Sequence, residues 1–354
     1  MVSWPFLGAV LTLALLAWVG WRVLGRWRRW LGRVGLAVAV LLSSVGVASA
    51  VNRYFDYLPK LGDVVNVVDG ERNWPSYESV VALPPDQVLR RYPQGLTAHL
   101  RVPDRGSGFG PTEALVYLPP QYFGSPGRRF PVAYLLHGAP GVPGDWFRGG
   151  RAGRLGARLA AAGRPLIIVA PRMSRGWLDD SECVDSVREL AETHLVDDVL
   201  PAVDGALRTE PARGARVLGG MSAGGYCALN VGLRHRALFG TIVAMSGLPR
   251  PTYAGGLGAL FGTGPGADVK IRANTPADYG AALGAGPPTR VWLDCGTGDA
   301  EILGELRRLA VELRAAGLTV EVHARPGAHT FRVWRPALAE ALTWATPGLG
   351  SGAG

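Results

Sequence analysis

Eight short, largely apolar segments between residues 96 and 324 restrict this chain more than any other feature: LTAHLRV (96–102), EALVYL (113–118), VAYLL (132–136), PLIIVA (165–170), ARVLGG (215–220), TIVAMSG (241–247), RVWLDCG (290–296) and TVEVHA (319–324). The first two flank GSGFGPT and read as an antiparallel hairpin. The others are separated by helical stretches at 155–162, 187–207, 224–235, 300–316 and 332–344. Strands with few polar positions must be covered on both faces, which predicts a mostly parallel eight-stranded sheet flanked by helices. A Rossmann-like sheet fits the same strand count. The loops separate the two.

Gly220-Met221-Ser222-Ala223-Gly224 follows the strand ARVLGG and opens the next helix. A GxSxG pattern there puts the serine on a sharp strand-to-helix bend, with its hydroxyl raised above the sheet. In a chain with 50 glycines the bare pattern is weak. The strand before it and the helix after it give it weight.

A serine hydroxyl needs an adjacent base. Of six histidines, His99 and His323 fall inside predicted strands, His194 and His235 on helices, and His137 in the turn after 132–136. His329 stands in PGAHTF, directly after the last strand. It is the candidate base, with His323 as competitor. The orienting acid belongs after the strand RVWLDCG. Asp299 fits, Asp294 and Glu301 are alternatives, and Asp299 could instead serve only as a helix N-cap. Two backbone donors complete such a site, here Ala223 and, from LLHGAPG, Ala139. His137 in that turn reads as structural.

Met1 to Trp21 lacks acidic and basic side chains, and Val34 to Val51 is a second uncharged run. Each approaches the length that crosses a bilayer as a helix. Between them lie Arg22, Arg26, Arg28, Arg29 and Arg33, with Trp4, Trp21, Trp27 and Trp30 near the expected interfaces. The prediction is two transmembrane helices over 1–51 with an Arg-rich cytoplasmic loop. An extracytoplasmic linker follows at 52–94, then a catalytic domain at 95–346 and a flexible Gly-rich tail at 347–354. That places the protein at the cell membrane with its catalytic domain outside. Ala48-Ser49-Ala50 also has the form of a signal-peptidase site, and buried cytoplasmic helices are a third reading.

The formal charge is +9, and without those five arginines it is +4, so the basic excess is a topology signal and no nucleic-acid partner is expected. Cys183, Cys227 and Cys295 have neither CxxC nor zinc-ligand spacing. They read as buried free thiols, although outside the cytoplasm one disulfide can form and the spacing does not choose its pair. No metal or cofactor is expected.

YLPPQYF, YLLHGAPG, ECVDS, ETHLVDDVLPAVD, GGMSAGGYCAL, LDCGTGD and PGAHTF, in this order, resemble the esterase D-type esterases. That group of α/β-hydrolases includes the actinobacterial mycolyltransferases, and the resemblance spans about residues 95–345. It implies an α/β-hydrolase fold and a nucleophile, acid and base at Ser222, Asp299 and His329, with HGAPG as the oxyanion loop. The mycolyltransferase acid is commonly glutamate, so Asp299 leans toward the esterase branch. The expectation is an extracytoplasmic serine esterase acting on small-molecule, lipid or glycolipid esters. The alternatives are an acyltransferase delivering an acyl chain to a sugar hydroxyl and an inactive scaffold. Residues 248–288 are expected to cap the pocket.

Overall fold

A computed structural model describes residues 4–24, 29–55 and 74–346. It divides into two units, residues 1–70 and 71–354. In the first, helices Trp4–Leu24 and Arg29–Phe55 pack antiparallel. A Cβ on Gly35 would lie 3.2 Å from Trp21 Cα, so this glycine sets the close approach there, while one on Gly46 would make ordinary contact with a Val10 methyl at 3.4 Å. The second predicted span, residues 4–21 of the first, and Ala48-Ser49-Ala50 fall within these helices, and residues 1–3 lie outside the described residues. Among the described residues, no helix is long and apolar enough to cross a membrane. Residues 25–28, most of the expected linker (56–73) and the tail from residue 347 lie outside the described residues.

The second unit is built on one sheet in the order β1-β2-β4-β3-β5-β6-β7-β8. The strands are β1 (Leu96–Val102), β2 (Thr112–Leu118), β3 (Val132–Leu136), β4 (Ile167–Pro171), β5 (Arg216–Met221), β6 (Thr241–Met245), β7 (Arg290–Gly296) and β8 (Thr319–Arg325). β1 and β2 form an antiparallel pair, and β2 joins β4 antiparallel. The six strands from β4 to β8 in sheet order run parallel. Every residue of β3, β4, β5 and β6 is buried, as strands covered on both faces require. β8, at the edge, buries only Val320 fully and is otherwise partly or wholly exposed.

Helix Ala223–Arg234 packs on β5 and β6, Ala300–Ala315 on β7 and β8, Phe331–Ala345 on β6 and β7, and Ala152–Ala161 on β2 and β4. Residues 74–94, expected as linker, carry two short helices, Tyr77–Val81 and Pro85–Arg91. Val80 and Val88 on them are buried in the same core as the sheet. One buried valine per short helix, with Tyr77 and Leu89 partly buried against the same core, is too little periodicity to read from sequence.

Candidate active site

β5 ends at Met221, and Ser222 takes φ 56°, ψ −126° before the helix begins at Ala223. A positive φ on a residue with a Cβ is strained and persists only where its surroundings hold it. Ser222 N–H donates to Met245 O (2.9 Å) on β6, and Ser222 O accepts from Gly225 N–H (2.8 Å) and Tyr226 N–H (3.1 Å). A Cβ on Gly220 would overlap the Gly224 carbonyl, and one on Gly224 would overlap the carbonyls of Leu136 and His137. Both glycines are therefore required by close backbone approach. The bend leaves Ser222 half-buried at the carboxyl edge of the sheet.

His329 Nε2 lies 2.7 Å from Ser222 Oγ, and its Nδ1 lies 3.0 Å from Asp299 Oδ2. The β7 and β8 loops that carry these side chains are laced together: Thr297 N–H donates to Arg325 O (2.9 Å) and Gly298 N–H to Gly327 O (2.7 Å). Asp299 occupies the N-cap position of helix Ala300–Ala315, yet its side chain makes no capping bond. Its carboxylate is turned to the imidazole. Trp334 meets the His329 ring edge-on at 4.9 Å and donates its indole N–H to Ser246 Oγ (3.1 Å), bracing the imidazole from the following helix.

The alternatives sit elsewhere. Asp294 is fully buried and paired with Arg325, which also reaches Glu340. Burial raises the Asp294 pKa, and the Arg325 guanidinium opposes that rise. Glu301 pairs with Arg250 at 3.1 Å. His323 stacks on Trp292 at 3.6 Å and faces Glu321 at 3.1 Å.

The loop carrying Ala139 lies against the serine, since a Cβ on Gly138 would sit 3.3 Å from Ser222 Cβ and 3.8 Å from its Oγ. Ala139 and Ala223 are both half-buried. Asp145 Oδ2 accepts the Val142 N–H (2.9 Å), and Gly141 N–H donates to Trp177 O (3.1 Å). His137 is buried at the root of the loop. Its Nε2 accepts the Met173 N–H (3.2 Å), so its Nδ1–H donates to Gly138 O (2.9 Å). Burial holds this imidazole neutral, pushing its pKa down to about 4. It ties the loop to the segment after β4.

Two features were not legible in the sequence. Cys183 and Cys227 form a disulfide, with Cα atoms 5.3 Å apart. This corrects the free-thiol reading for that pair and fastens the segment after β4 to the helix that Ser222 opens. Cys295 alone is a buried free thiol. Ser246, at φ 51° after β6, is the second feature; only its place at a strand end hinted at a role.

An eight-stranded, mostly parallel sheet with a serine on a strained strand-to-helix bend defines a serine hydrolase of the α/β-hydrolase fold. The chain belongs to the Esterase family, whose model, described as "Putative esterase", matches residues 110–345. It is 27% identical over 328 residues to an uncharacterized protein of Corynebacterium glutamicum, covering 88% of this chain and 75% of that one. It is 28% identical over 243 residues to the Mycobacterium tuberculosis esterase Rv1288, covering 61% of this chain. The match spans 52%, about half, of that relative's length. Among solved structures, a ferulic acid esterase superposes with TM-score 0.61 at 24% identity, covering 72% of this chain and 98% of that one. The S-formylglutathione hydrolase of Agrobacterium tumefaciens superposes with TM-score 0.59 at 21% identity, covering 73% and 96%. M. tuberculosis MPT51 does so with TM-score 0.54 at 19% identity, covering 72% and 98%.

Proposed function

We propose that this protein is an extracytoplasmic, membrane-anchored carboxylic-ester hydrolase using Ser222 as nucleophile, His329 as base and Asp299 as the acid that orients it. The observation that carries this reading is the continuous hydrogen-bonded line from Ser222 Oγ through both ring nitrogens of His329 to Asp299, at 2.7 Å and 3.0 Å. With Nδ1–H donated to the carboxylate, the Nε2 lone pair is free to take the serine proton. The alkoxide attacks the ester carbonyl, and Ala139 and Ala223 N–H groups stabilise the tetrahedral oxyanion. His329 then protonates the departing alcohol. Water, activated by the same imidazole, releases the acid from the acyl-serine. Members of the group acting as esterases, Rv1288 by name among them, support ester hydrolysis as the chemistry.

The location rests on two supports. The apolar runs 1–21 and 34–51 bracket an arginine cluster, which favours a cytoplasmic loop with the remainder outside. The Cys183–Cys227 disulfide suits an oxidising compartment. A C-terminal alkaline phosphatase fusion is expected to be active, and an inactive fusion reverses the orientation.

Transfer to a sugar hydroxyl shares every step up to the acyl-serine, so the products decide. The full chain, assayed on 4-nitrophenyl acetate, longer acyl esters and methyl ferulate with and without trehalose, is expected to release free acid in both cases. Acylated trehalose as main product makes it a transferase. No turnover of any ester rejects the reading.

A further inference from the structure

Between β6 and β7 the chain makes an excursion over residues 248–288, with short helices Leu257–Phe261, Ala267–Ala273 and Pro276–Tyr279. Leu260 and Phe261 are buried against Val184 and against Tyr226, whose N–H donates to Ser222 O one turn back. Val187 N–H donates to Leu260 O (2.8 Å), and the Tyr226 hydroxyl donates to Asn274 O (2.6 Å). The excursion therefore rests on the helix that the nucleophile opens and on the segment after β4.

Those two supports are joined at Asp180-Ser181-Glu182-Cys183, which the site above uses only through its cysteine. Asp180 Oδ1 accepts the Glu182 N–H, while Ser181 Oγ donates to Met173 O and accepts the Cys183 N–H. Glu182 and Cys183 both hold φ 48°, a conformation that costs energy and persists only where the surroundings impose it.

The Glu182 side chain is 1% exposed. Its Oε1 accepts the N–H and the hydroxyl of Thr252, at the root of the excursion, and its Oε2 has no hydrogen-bond partner. The groups that act on its charge are Asp180, from its own segment, and Thr252, and neither is a cation. Tyr226 faces it from the helix, where burial keeps the phenol uncharged. Burial, and after it the Asp180 carboxylate, push the Glu182 pKa up to about 8.

We propose that Glu182 is a positioning residue, whose buried carboxyl latches the root of the 248–288 excursion to the segment after β4 and so holds the excursion against the nucleophile's helix. Ionised in place, Oε2 would carry charge with no donor, so the latch must open to hydrate it. The folded pKa lies above the ordinary 4.5, so opening releases a proton between those values. The latch is then strongest at low pH and weakens as pH rises from about 4.5 to 8. Only the kinetic arm of the test rests on the esterase reading.

The test is hydrogen exchange of the full-length chain in non-ionic detergent, corrected for intrinsic rates, at pH 5, 6, 7 and 8. Protection of the peptide spanning 248–256 should fall by about tenfold per pH unit in the parent, the slope of one proton. Glu182→Gln keeps the acceptor and does not titrate, so its protection should stay level. Asp180→Asn removes the like charge, so its fall should stop at a lower pH than the parent's. Protected β3 and β5 peptides identify folded variants. A flat parent profile overturns the proposal, as does an equal fall in Glu182→Gln. In the kinetic arm, Glu182→Ala should raise KM for 4-nitrophenyl butyrate about tenfold with kcat little changed, and Glu182→Gln should restore it. A parental KM in Glu182→Ala overturns the positioning role. An inactive parent whose exchange behaves as expected rejects the esterase reading and supports the latch.

Discussion

The Asp299 carboxylate faces His329 Nδ1 at 3.0 Å although Asp299 stands at the N-cap of its own helix. An aspartate there ordinarily caps the helix by accepting a backbone N–H. Here that stabilisation, worth about 1 kcal/mol, is absent, and the loop geometry holds the side chain toward the imidazole.

Asp299→Asn should therefore separate activity from stability. Turnover should fall by about 10⁴ because the amide no longer fixes the imidazole tautomer. The unfolding midpoint should barely move, since no capping bond is lost. Steady-state kinetics and thermal melting of the same preparation measure both. A normal turnover assigns the acid to another residue.

Asp294 should behave in the opposite way. Its buried carboxylate is neutralised by Arg325, so Arg325→Met leaves a charge without its partner inside the protein. Breaking such a pair costs about 3–5 kcal/mol. Asp294→Asn combined with Arg325→Met should recover much of the loss in urea unfolding. Ester turnover by whatever fraction is folded should change little, because neither side chain touches Ser222 or His329.

The Cys183–Cys227 bond closes a loop spanning 44 residues. In the chain-entropy account, opening such a loop costs on the order of 4 kcal/mol. Replacing both cysteines with serine should lower unfolding free energy by an amount of that order in urea titrations. A change below about 1 kcal/mol contradicts a bond that is formed in the native protein.

His137 gives a pH signature. Its folded pKa, about 4, lies below the ordinary 6.5, so the unfolded chain binds a proton more readily. Its contribution to stability is full above about pH 6.5 and is lost as pH falls toward 4, at a limit of about 3 kcal/mol. His137→Gln, uncharged at every pH, should flatten that part of the profile. Chemical unfolding at pH 7, 6, 5 and 4 reads the slope, and identical slopes in both proteins contradict the burial argument.

How much was legible in the sequence follows from where the physical signal is local. β3 to β6 are buried throughout and so spelled themselves as apolar runs. Ser222 was marked by glycines that close backbone approach demands, and Asp299 and His329 by their places just beyond β7 and β8. The disulfide left no local trace, since its two cysteines are brought together only by the packing of the segment after β4 on the helix Ala223–Arg234. The helices at 77–91 were missed because each is short and buries only one valine fully, Val80 or Val88, too few positions to show a helical period.

The central claim is that Ser222 is the nucleophile, and covalent labelling tests it most directly. The full-length chain is treated with a fluorophosphonate, digested and mapped by mass spectrometry, alongside Ser222→Ala and His329→Ala. The account predicts one adduct, on the peptide containing Ser222, absent in the first variant and at least 100-fold slower to form in the second. An adduct on another residue, or labelling that survives Ser222→Ala, contradicts it.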